Sequence, residues 1–238
     1  MRKLLLLAFL SLASTARAET ISFTMEEYPP FNYRDGKEIK GAFVEEVEKM
    51  MATAGIDYTI DVMPWARAYM TAQTTPMTCV IGTAHRPDRD KLFTWVEPLM
   101  IDRNILIRHS GSSVTASNLD EARHYTVGTW RDDYTETLLR DAKFPKIDVG
   151  NDFKTTLKKL MNDRIDLIPM SEFYYLRLKR EGSPIEKVAT LAETPLGVAC
   201  QKDLPEPLKH KMQAALDQML EQGQDKPLFA KYGLDGGN

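Results

Sequence analysis

The chain has little cysteine and little histidine, and this scarcity narrows its chemistry. Two cysteines and four histidines occur among 238 residues. The histidines are far apart in sequence, and none completes a known metal motif with another ligand. No Ser/His/Asp or Cys/His set and no closely spaced pair of acids is recognisable. We therefore expect no metal, no cofactor and no catalytic residue.

The chain also lacks an excess of basic residues and a second long apolar run. Its formal net charge is −3, and three basic residues lie in the first eighteen positions, so the remainder carries −6. A mildly acidic protein is a poor candidate for binding nucleic acid or an anionic membrane surface. Beyond the first residues, no apolar run approaches membrane length. We expect neither a nucleic-acid partner nor a membrane span.

The first eighteen residues have the order of a secretory signal. The positive end Arg2-Lys3 precedes an apolar run at 4–12, and the small-x-small sequence at 16–18 offers a cleavage site before Glu19. The apolar run is too short to anchor the chain in a bilayer. We expect an exported, periplasmic protein that is soluble and monomeric, with no ATP or NAD pool to draw on.

The two cysteines, Cys79 and Cys200, lie in separate strand-like runs, TCVIG and GVACQ. An oxidising compartment would permit a disulfide, but nothing in the sequence shows that the two runs are neighbours. Cysteine is often buried even when it is unpaired. We therefore predict two buried thiols in preference to a disulfide.

Strand-like and helical runs alternate twice along the chain, and hydrophobic periodicity distinguishes them. The first set has strands at 21–25, 58–63 and 78–84 and helices at 43–55 and 64–73. The second has strands at 125–130, 146–150 and 166–170 and helices at 133–142, 152–163 and 172–182. Further elements are a strand at 104–109, two strands within 188–201 and a helix at 205–223. This order predicts an α/β fold with mainly parallel sheet in two lobes.

A ligand cleft is expected between the lobes, at the carboxyl ends of the strands. We expect the cleft to close by a hinge near 104–108 and 196–202. The predicted organisation is a signal peptide at 1–18, lobe 1 at 19–105, lobe 2 at 106–197 and a return to lobe 1 at 198–238.

Five segments carry a family resemblance. In chain order they are EYPPFNYRDGKEIKGAFVEEVEKMM, MPWARAY, RPDRDKLFTWVEPL, YTVGTWRDDYTETLL and LMNDRIDLIPM. Each segment alone is weak, but five in order over nearly the whole chain resemble the family-3 periplasmic solute-binding proteins of the polar amino-acid-binding type. The resemblance implies a two-lobed periplasmic-binding-protein fold, type II-like, that closes on a small solute and passes it to a membrane ABC permease.

Arg89 is the main candidate for binding an anionic group. A guanidinium at this place can form a bidentate pair with a carboxylate. In the family the arginine at this place holds the ligand α-carboxylate, so the resemblance implies that role for Arg89. Arg86 and Arg67 compete for the role, and the alternative for Arg89 is a surface ion pair with Asp88 or Asp90.

Aromatic and hydroxyl side chains complete the predicted cleft. Aromatic walls suit small ligands and can cover a cation. A hydroxyl and backbone N–H groups at a strand end before a helix can bind an anion, or the same residues can simply cap the helix. The alternative for Phe31 is core packing, and the alternative for the anion site is helix capping by Thr129 or Asp132. The candidates besides Arg89 are Tyr28, Phe31, Trp65, Arg67, Thr83, Thr129, Trp130 and Ser171.

Ser171 is a departure from the family pattern, which places at this position an acid that pairs with the ligand α-ammonium. A hydroxyl cannot neutralise an ammonium group as a carboxylate does. Unless Glu26, Glu27 or Glu172 reaches the ligand, we expect common amino acids to bind weakly. The sequence then favours a small organic anion or another polar solute with a flat group.

Two other functions stay open on the same fold. One is a secreted enzyme similar to cyclohexadienyl dehydratases, which would need a cleft acid with a raised pKa, with Glu172 or Glu26 as the candidate. The other is an orphan sensor that reports a ligand to a membrane partner. The predicted function remains solute binding for import without catalysis.

The signal interpretation predicts a mature protein that begins at Glu19. Intact-mass measurement on secreted material checks this. A retained N-terminus or a membrane-bound product would contradict it.

Overall fold

The computed structural model describes residues 20–234, so the predicted signal at 1–18 lies outside the described residues. Within this range the strands are β1 (Ile21–Met25), β2 (Tyr33–Asp35), β3 (Glu38–Lys40), β4 (Tyr58–Val62), β5 (Thr78–Ala84), β6 (Phe93–His109), β7 (Val127–Trp130), β8 (Ile147–Gly150), β9 (Leu167–Ser171) and β10 (Ile185–Gln201). The helices are α1 (Ala42–Ala54), α2 (Trp65–Thr74), α3 (Leu119–Ala122), α4 (Tyr134–Asp141), α5 (Phe153–Met161), α6 (Glu172–Arg180), α7 (Glu206–Glu221) and α8 (Asp225–Lys231).

Helix α1 shows how local sequence sets these boundaries. Apolar side chains recur along it at helical spacing, and Phe43, Val47 and Met50 are buried. At its start, a Cβ on Gly41 would lie 2.1 Å from the Phe31 carbonyl oxygen, so only glycine fits there. At its end, Gly55 adopts a left-handed conformation with φ of 65°, which glycine accepts without steric cost.

The central sheet has eight strands in the order β4-β1-β5-β10-β6-β9-β7-β8. The outer groups β4-β1-β5 and β9-β7-β8 are parallel. The central strands β10 and β6 run antiparallel to each other and to their outer neighbours. The sheet is therefore mixed, and the prediction of mainly parallel pairing holds only within each outer group.

The molecule has two lobes joined by β6 and β10. Lobe 1 comprises β1–β5, α1 and α2, and α7 and α8 pack back onto α1. Lobe 2 comprises β7–β9 and α3–α6. The first lobe is extended by pairing of β10 with β5 at 196–200, and the second by pairing of β6 with β9 at 104–108. The lobe boundaries near 105 and 197 and the hinge remain predictions.

Strand β10 is longer than predicted. The sequence predicts two separate strands within 188–201, and the structure has one strand of 17 residues. Its pairing with β6 shifts register between Lys187 and Ala189, between Thr190 and Ala192, and between Leu196 and Val198. Such β-bulges bend a strand while keeping it in the sheet, so the interruption in the sequence pattern marks bends within one strand.

Cys79 and Cys200 form a disulfide, and the prediction of two free thiols is wrong. The two residues face each other in the antiparallel pairing of β5 with β10, and both are fully buried. The two cysteines are 121 positions apart in sequence, and the pairing register of β5 with β10 decides whether they meet. The sequence around each cysteine does not specify that register. A disulfide agrees with the expected export to an oxidising compartment.

Among residues 20–234, no helix is both long enough and apolar enough to cross a membrane.

Removing the disulfide by the paired substitution Cys79→Ser and Cys200→Ser should destabilise the protein by about 2–4 kcal/mol, because the bridge closes a long loop and restricts the unfolded chain. Urea unfolding of the variant and of the wild-type protein, each with and without reductant, measures this. Reductant should lower the stability of the wild-type protein alone. Two titratable thiols in the denatured, unreduced protein would contradict the assignment.

Candidate ligand-binding site

A small cavity lies where the two lobes meet. Its walls come from the segment after β1, the start of α2, the centre of β5 and β6, the carboxyl ends of β7 and β9, and the start of α4. Its volume is about 40 Å³, which is room for a few water molecules. The carboxyl ends of parallel strands meet here, as expected for ligand sites in α/β sheets.

Five of the nine residues predicted for the site line this cavity: Tyr28, Phe31, Trp65, Trp130 and Ser171. Phe31 is 1% exposed and also stacks on Phe43 with ring centroids 4.9 Å apart, so it combines core packing with a wall position. The other four predicted residues, Arg67, Thr83, Arg89 and Thr129, are not in the wall.

Tyr28 brings lobe 1 into contact with lobe 2. Its ring stacks on Phe31 at 5.8 Å and meets Phe153 and Tyr174 of lobe 2 edge to face at 4.8 and 5.2 Å. Its Oη accepts a hydrogen bond of 3.4 Å from the Ser171 backbone N–H. Burial raises the pKa of Tyr28 well above its ordinary value, so the phenol stays neutral. The described structure is therefore closed at this point.

A second contact between the lobes converges on the carbonyl oxygen of Asp132. The Trp65 Nε1–H donates to it at 2.9 Å, and the Arg89 Nη2–H donates to it at 3.3 Å. Arg89 also donates through Nη1 to the Ala84 carbonyl at 3.3 Å and lies over the Tyr69 ring, 5.0 Å from its centroid. Arg89 is thus buried at the lobe contact and is not part of the cavity wall.

Arg86 forms a third contact between the lobes. Its Nη2 lies 3.0 Å from Asp141 Oδ2 on α4, and its Nε lies 3.2 Å from Asp88 Oδ1. Asp88 and Asp141 are more than half exposed, so each pair contributes little to stability. Arg86 is not part of the cavity wall.

Arg67 and Thr83 lie away from the cavity. Arg67 is exposed on α2. Thr83 is fully buried in β5, and its hydroxyl donates 3.3 Å to the Val80 carbonyl. Neither position offers a polar atom to the cavity wall.

Thr129 lies outside the cavity wall and contacts Thr135, which is part of the wall. Its hydroxyl is 2.7 Å from the Thr135 hydroxyl. The Asp133 Oδ1 accepts from the Thr135 backbone N–H at 2.9 Å and from the Thr135 hydroxyl. Asp133 therefore caps α4, where the sequence suggested Thr129 or Asp132. Because a carboxylate already occupies this helix N-terminus, the predicted anion site at Thr129 is filled by the protein itself.

Ser171 holds a carboxylate that sequence reasoning missed. Asn104 lies opposite Ser171 in the pairing of β6 with β9, so Asp102, two residues earlier, faces the same cavity. The Ser171 hydroxyl donates to Asp102 Oδ1 at 2.6 Å. Asn104 Nδ2 and the Tyr134 hydroxyl donate to Asp102 Oδ2 at 2.9 and 3.3 Å. An acid is thus present beside Ser171, supplied by a different strand.

Asp102, Asp133 and Glu26 bring three carboxyl groups into the cavity wall. Burial raises the pKa of Asp102 to about 6 and that of Asp133 to about 6, while Arg89 opposes the rise at Asp133. Burial raises the pKa of Glu26 well above its usual range, and the charges of Asp133 and Asp152 add to this. Two pairs of adjacent acids, Glu26-Glu27 after β1 and Asp132-Asp133 before α4, are the sequence signal that could have identified Glu26 and Asp133.

Glu172, another acid named from the sequence, pairs with cations outside the cavity. Its oxygens pair with Arg103 at 3.1 Å and Lys187 at 2.6 Å. These partners lower the pKa of Glu172 although partial burial opposes them. Glu172 is absent from the cavity wall. Of the acids named from the sequence, Glu26 is the one that lines the cavity.

The profile of the bacterial extracellular solute-binding proteins, family 3, matches residues 21–235. Solved structures share the fold at low identity. The arginine-, lysine-, histidine-binding protein ArtJ from Geobacillus stearothermophilus is 18% identical, with a TM-score of 0.80 over 90% of this chain and 94% of that one. The substrate-binding protein AbpA from Streptococcus pneumoniae, bound to L-arginine, is 16% identical, with a TM-score of 0.80 over 92% and 97%.

A histidine kinase sensor domain with similarity to periplasmic binding proteins is 18% identical, with a TM-score of 0.81 over 91% of this chain and 96% of that chain. A sequence comparison with functionally described proteins gave no match.

The raised pKa values predict that the unliganded protein loses stability as pH rises from about 4 to about 7. A carboxyl whose folded pKa exceeds its unfolded pKa binds its proton more tightly in the folded state, so its contribution is present at low pH and lost as pH passes the folded pKa. Asp133→Asn keeps a capping side chain and removes one such charge. We expect this variant to be more stable than the wild-type protein at pH 8 by on the order of 1–3 kcal/mol.

Urea unfolding at pH 5 and pH 8 measures this effect. Glu136→Gln, on α4 but outside the cavity wall, is the control and should leave the pH dependence unchanged. If the free energy of unfolding depends on pH equally in the wild-type protein and in Asp133→Asn, burial does not disfavour the ionised form of Asp133.

Proposed function

The chain belongs to family 3 of the bacterial extracellular solute-binding proteins, and we propose that it captures one small polar solute between its lobes in the periplasm and delivers it to a membrane permease of the ABC type. The observation that supports this most is the cavity where the lobes meet, with aromatic walls and several buried polar groups. Such cavities hold small molecules and orient them through a few polar contacts.

Capture requires that the lobes separate and close again. The cavity is bounded by Tyr28 and Trp65 from lobe 1 and by Trp130 from lobe 2, so a solute reaches it only when the lobes part. The lobe contacts of Tyr28 with Ser171, of Trp65 with Asp132 and of Arg86 with Asp141 form in the closed state. A solute that touches both lobes adds its own contacts to these and shifts the population toward closure.

The closed state is what a permease can distinguish from the open one, because closure changes the relative position of the two lobe surfaces. We expect the protein to act as a monomer with a transient membrane partner. The solute should be released unchanged, with no covalent step.

A sensor role is the second candidate. The similarity to a histidine kinase sensor domain supports it, since the same closure would report the solute to a membrane partner. Uptake of the bound solute by cells that lack the chain separates the two roles. Import predicts that uptake falls, whereas a sensor predicts unchanged uptake and a lost transcriptional or signalling response.

Enzymatic activity is the third candidate, and Glu26 supports it as a partly buried acid in the cavity wall with a raised pKa. Mass spectrometry of the solute before and after incubation with the protein tests this. Recovery of the unchanged compound supports binding without catalysis, and conversion would favour the enzyme.

A thermal-shift screen of small polar solutes, followed by calorimetry, tests the proposed function directly, because a solute that binds the folded state raises the melting temperature. X-ray scattering should show a smaller radius of gyration at saturating solute. Absence of any binding solute, together with an unchanged radius, would contradict the proposal.

Trp65→Phe should weaken solute binding by about 2- to 10-fold, because it removes one hydrogen bond between the lobes that is made only on closure. Calorimetry with the solute from the screen measures this. The control is Trp95→Phe, whose indole N–H has no hydrogen-bond partner among the described residues. If the two variants bind equally well, the Trp65–Asp132 contact does not contribute to closure.

A further inference from the structure

The cavity wall holds three carboxyl groups and, among the described residues, no matching cation. Glu26, Asp102 and Asp133 line it, and no lysine, arginine or histidine from residues 20–234 does so. Asp102 is 2% exposed and Asp133 is 6% exposed. Asp152, which caps α5 just outside, adds to the negative potential at Glu26. A buried group of like charges calls for a counter-charge from the solute.

Arg89 is the cation that could have received a carboxylate from the solute, and its geometry argues against this. Both terminal nitrogens donate to backbone carbonyls, one in each lobe, and the guanidinium plane lies over Tyr69. Releasing these contacts would also break the Asp132 contact between the lobes. A solute carboxylate in the cavity would lie beside three acids, and no positively charged side chain of residues 20–234 lines the wall to pair with it.

The three acids also differ in the hydrogen bonds that they already accept from the protein. Asp102 already accepts from Ser171, Asn104 and Tyr134. Asp133 accepts from Thr135. The partly buried Glu26 lines the cavity, and the hydrogen bond that Asn32 Nδ2 donates to this residue goes to its backbone carbonyl. A partly buried carboxyl group in the wall can accept hydrogen bonds from a solute, so the solute should bring N–H groups to Glu26.

The remaining walls suit the same solute. Tyr28, Trp65 and Trp130 present aromatic rings to the cavity, and aromatic faces attract cations. The small volume of about 40 Å³ favours a compact group. A quaternary ammonium would satisfy the rings but would leave Glu26 without a donor, whereas a primary ammonium or a guanidinium satisfies both.

We propose that the solute is a small cation rich in N–H donors, an alkylammonium or guanidinium compound without a carboxylate, held by Glu26, Asp133 and the aromatic walls. This inference rests on the proposed solute-binding function. It differs from the sequence-based expectation of a small organic anion or another polar solute with a flat group, because no arginine of residues 20–234 lines the cavity.

Matched pairs of compounds that differ by one carboxylate test this class by calorimetry at pH 7.5. The pairs are methylguanidine with guanidinoacetate, ethylamine with alanine, and agmatine with arginine, and succinate represents the anions. We expect at least one cation to bind at least tenfold more tightly than its carboxylated partner, and succinate not to bind.

Two variants assign the preference to the acids. Glu26→Gln and Asp133→Asn should each weaken binding of the preferred cation by at least tenfold while the melting curve stays cooperative. The matched control is Glu27→Gln, because Glu27 is adjacent in sequence and exposed; it should bind as the wild-type protein does.

The outcomes separate the two proposals. Tighter binding of an amino acid or of succinate overturns the cation assignment and leaves solute binding intact. Cation binding that is unchanged in both Glu26→Gln and Asp133→Asn also overturns the assignment. Absence of binding by every compound in this panel and in the wider screen overturns the proposed function and the cation assignment together.

Discussion

The antiparallel pairing of β6 with β10 is the constraint on which the rest of the structure depends. These two strands of 17 residues each pair over their whole length and belong to both lobes. Near their centre, Asp102 lies opposite Thr194, and both are buried. The same ribbon that joins the lobes therefore also carries an acid into the space between them. Bulges in β10 bend this ribbon without breaking it.

Three carboxyl groups in one buried cavity are unfavourable for the empty protein. Each is deprived of water, and the charges repel one another, which is why their pKa values rise. A folded protein keeps such an arrangement where something else offsets it. Hydrogen bonds from Ser171, Asn104, Tyr134 and Thr135 offset part of it, and a cationic solute would offset the remainder. Site chemistry and conformational stability are thus coupled at the same residues.

Arg89 illustrates how a residue can keep its place in a sequence pattern and take a different task. It lies beyond the end of β5, as the family resemblance implies. Its guanidinium donates to the carbonyls of Ala84 and Asp132 and so joins the lobes, and Arg89 is not part of the cavity wall. Its charge still reaches the site, since it opposes the rise in the pKa of Asp133. Arg89 therefore reduces the negative potential of the site from a position outside the cavity wall.

The sequence by itself determined the α/β class, the order of most elements, the family and the aromatic side of the cavity. These follow from periodicity and from short motifs, which depend on neighbours along the chain. It did not determine that Cys200 pairs with Cys79, or that Ser171 holds Asp102, because these partners are 121 and 69 positions apart. Strand register and the approach of the lobes decide which distant side chains meet. The charge of the site emerged only in the tertiary structure, since it depends on which acids turn inward together and on where the nearest guanidinium finds its acceptors.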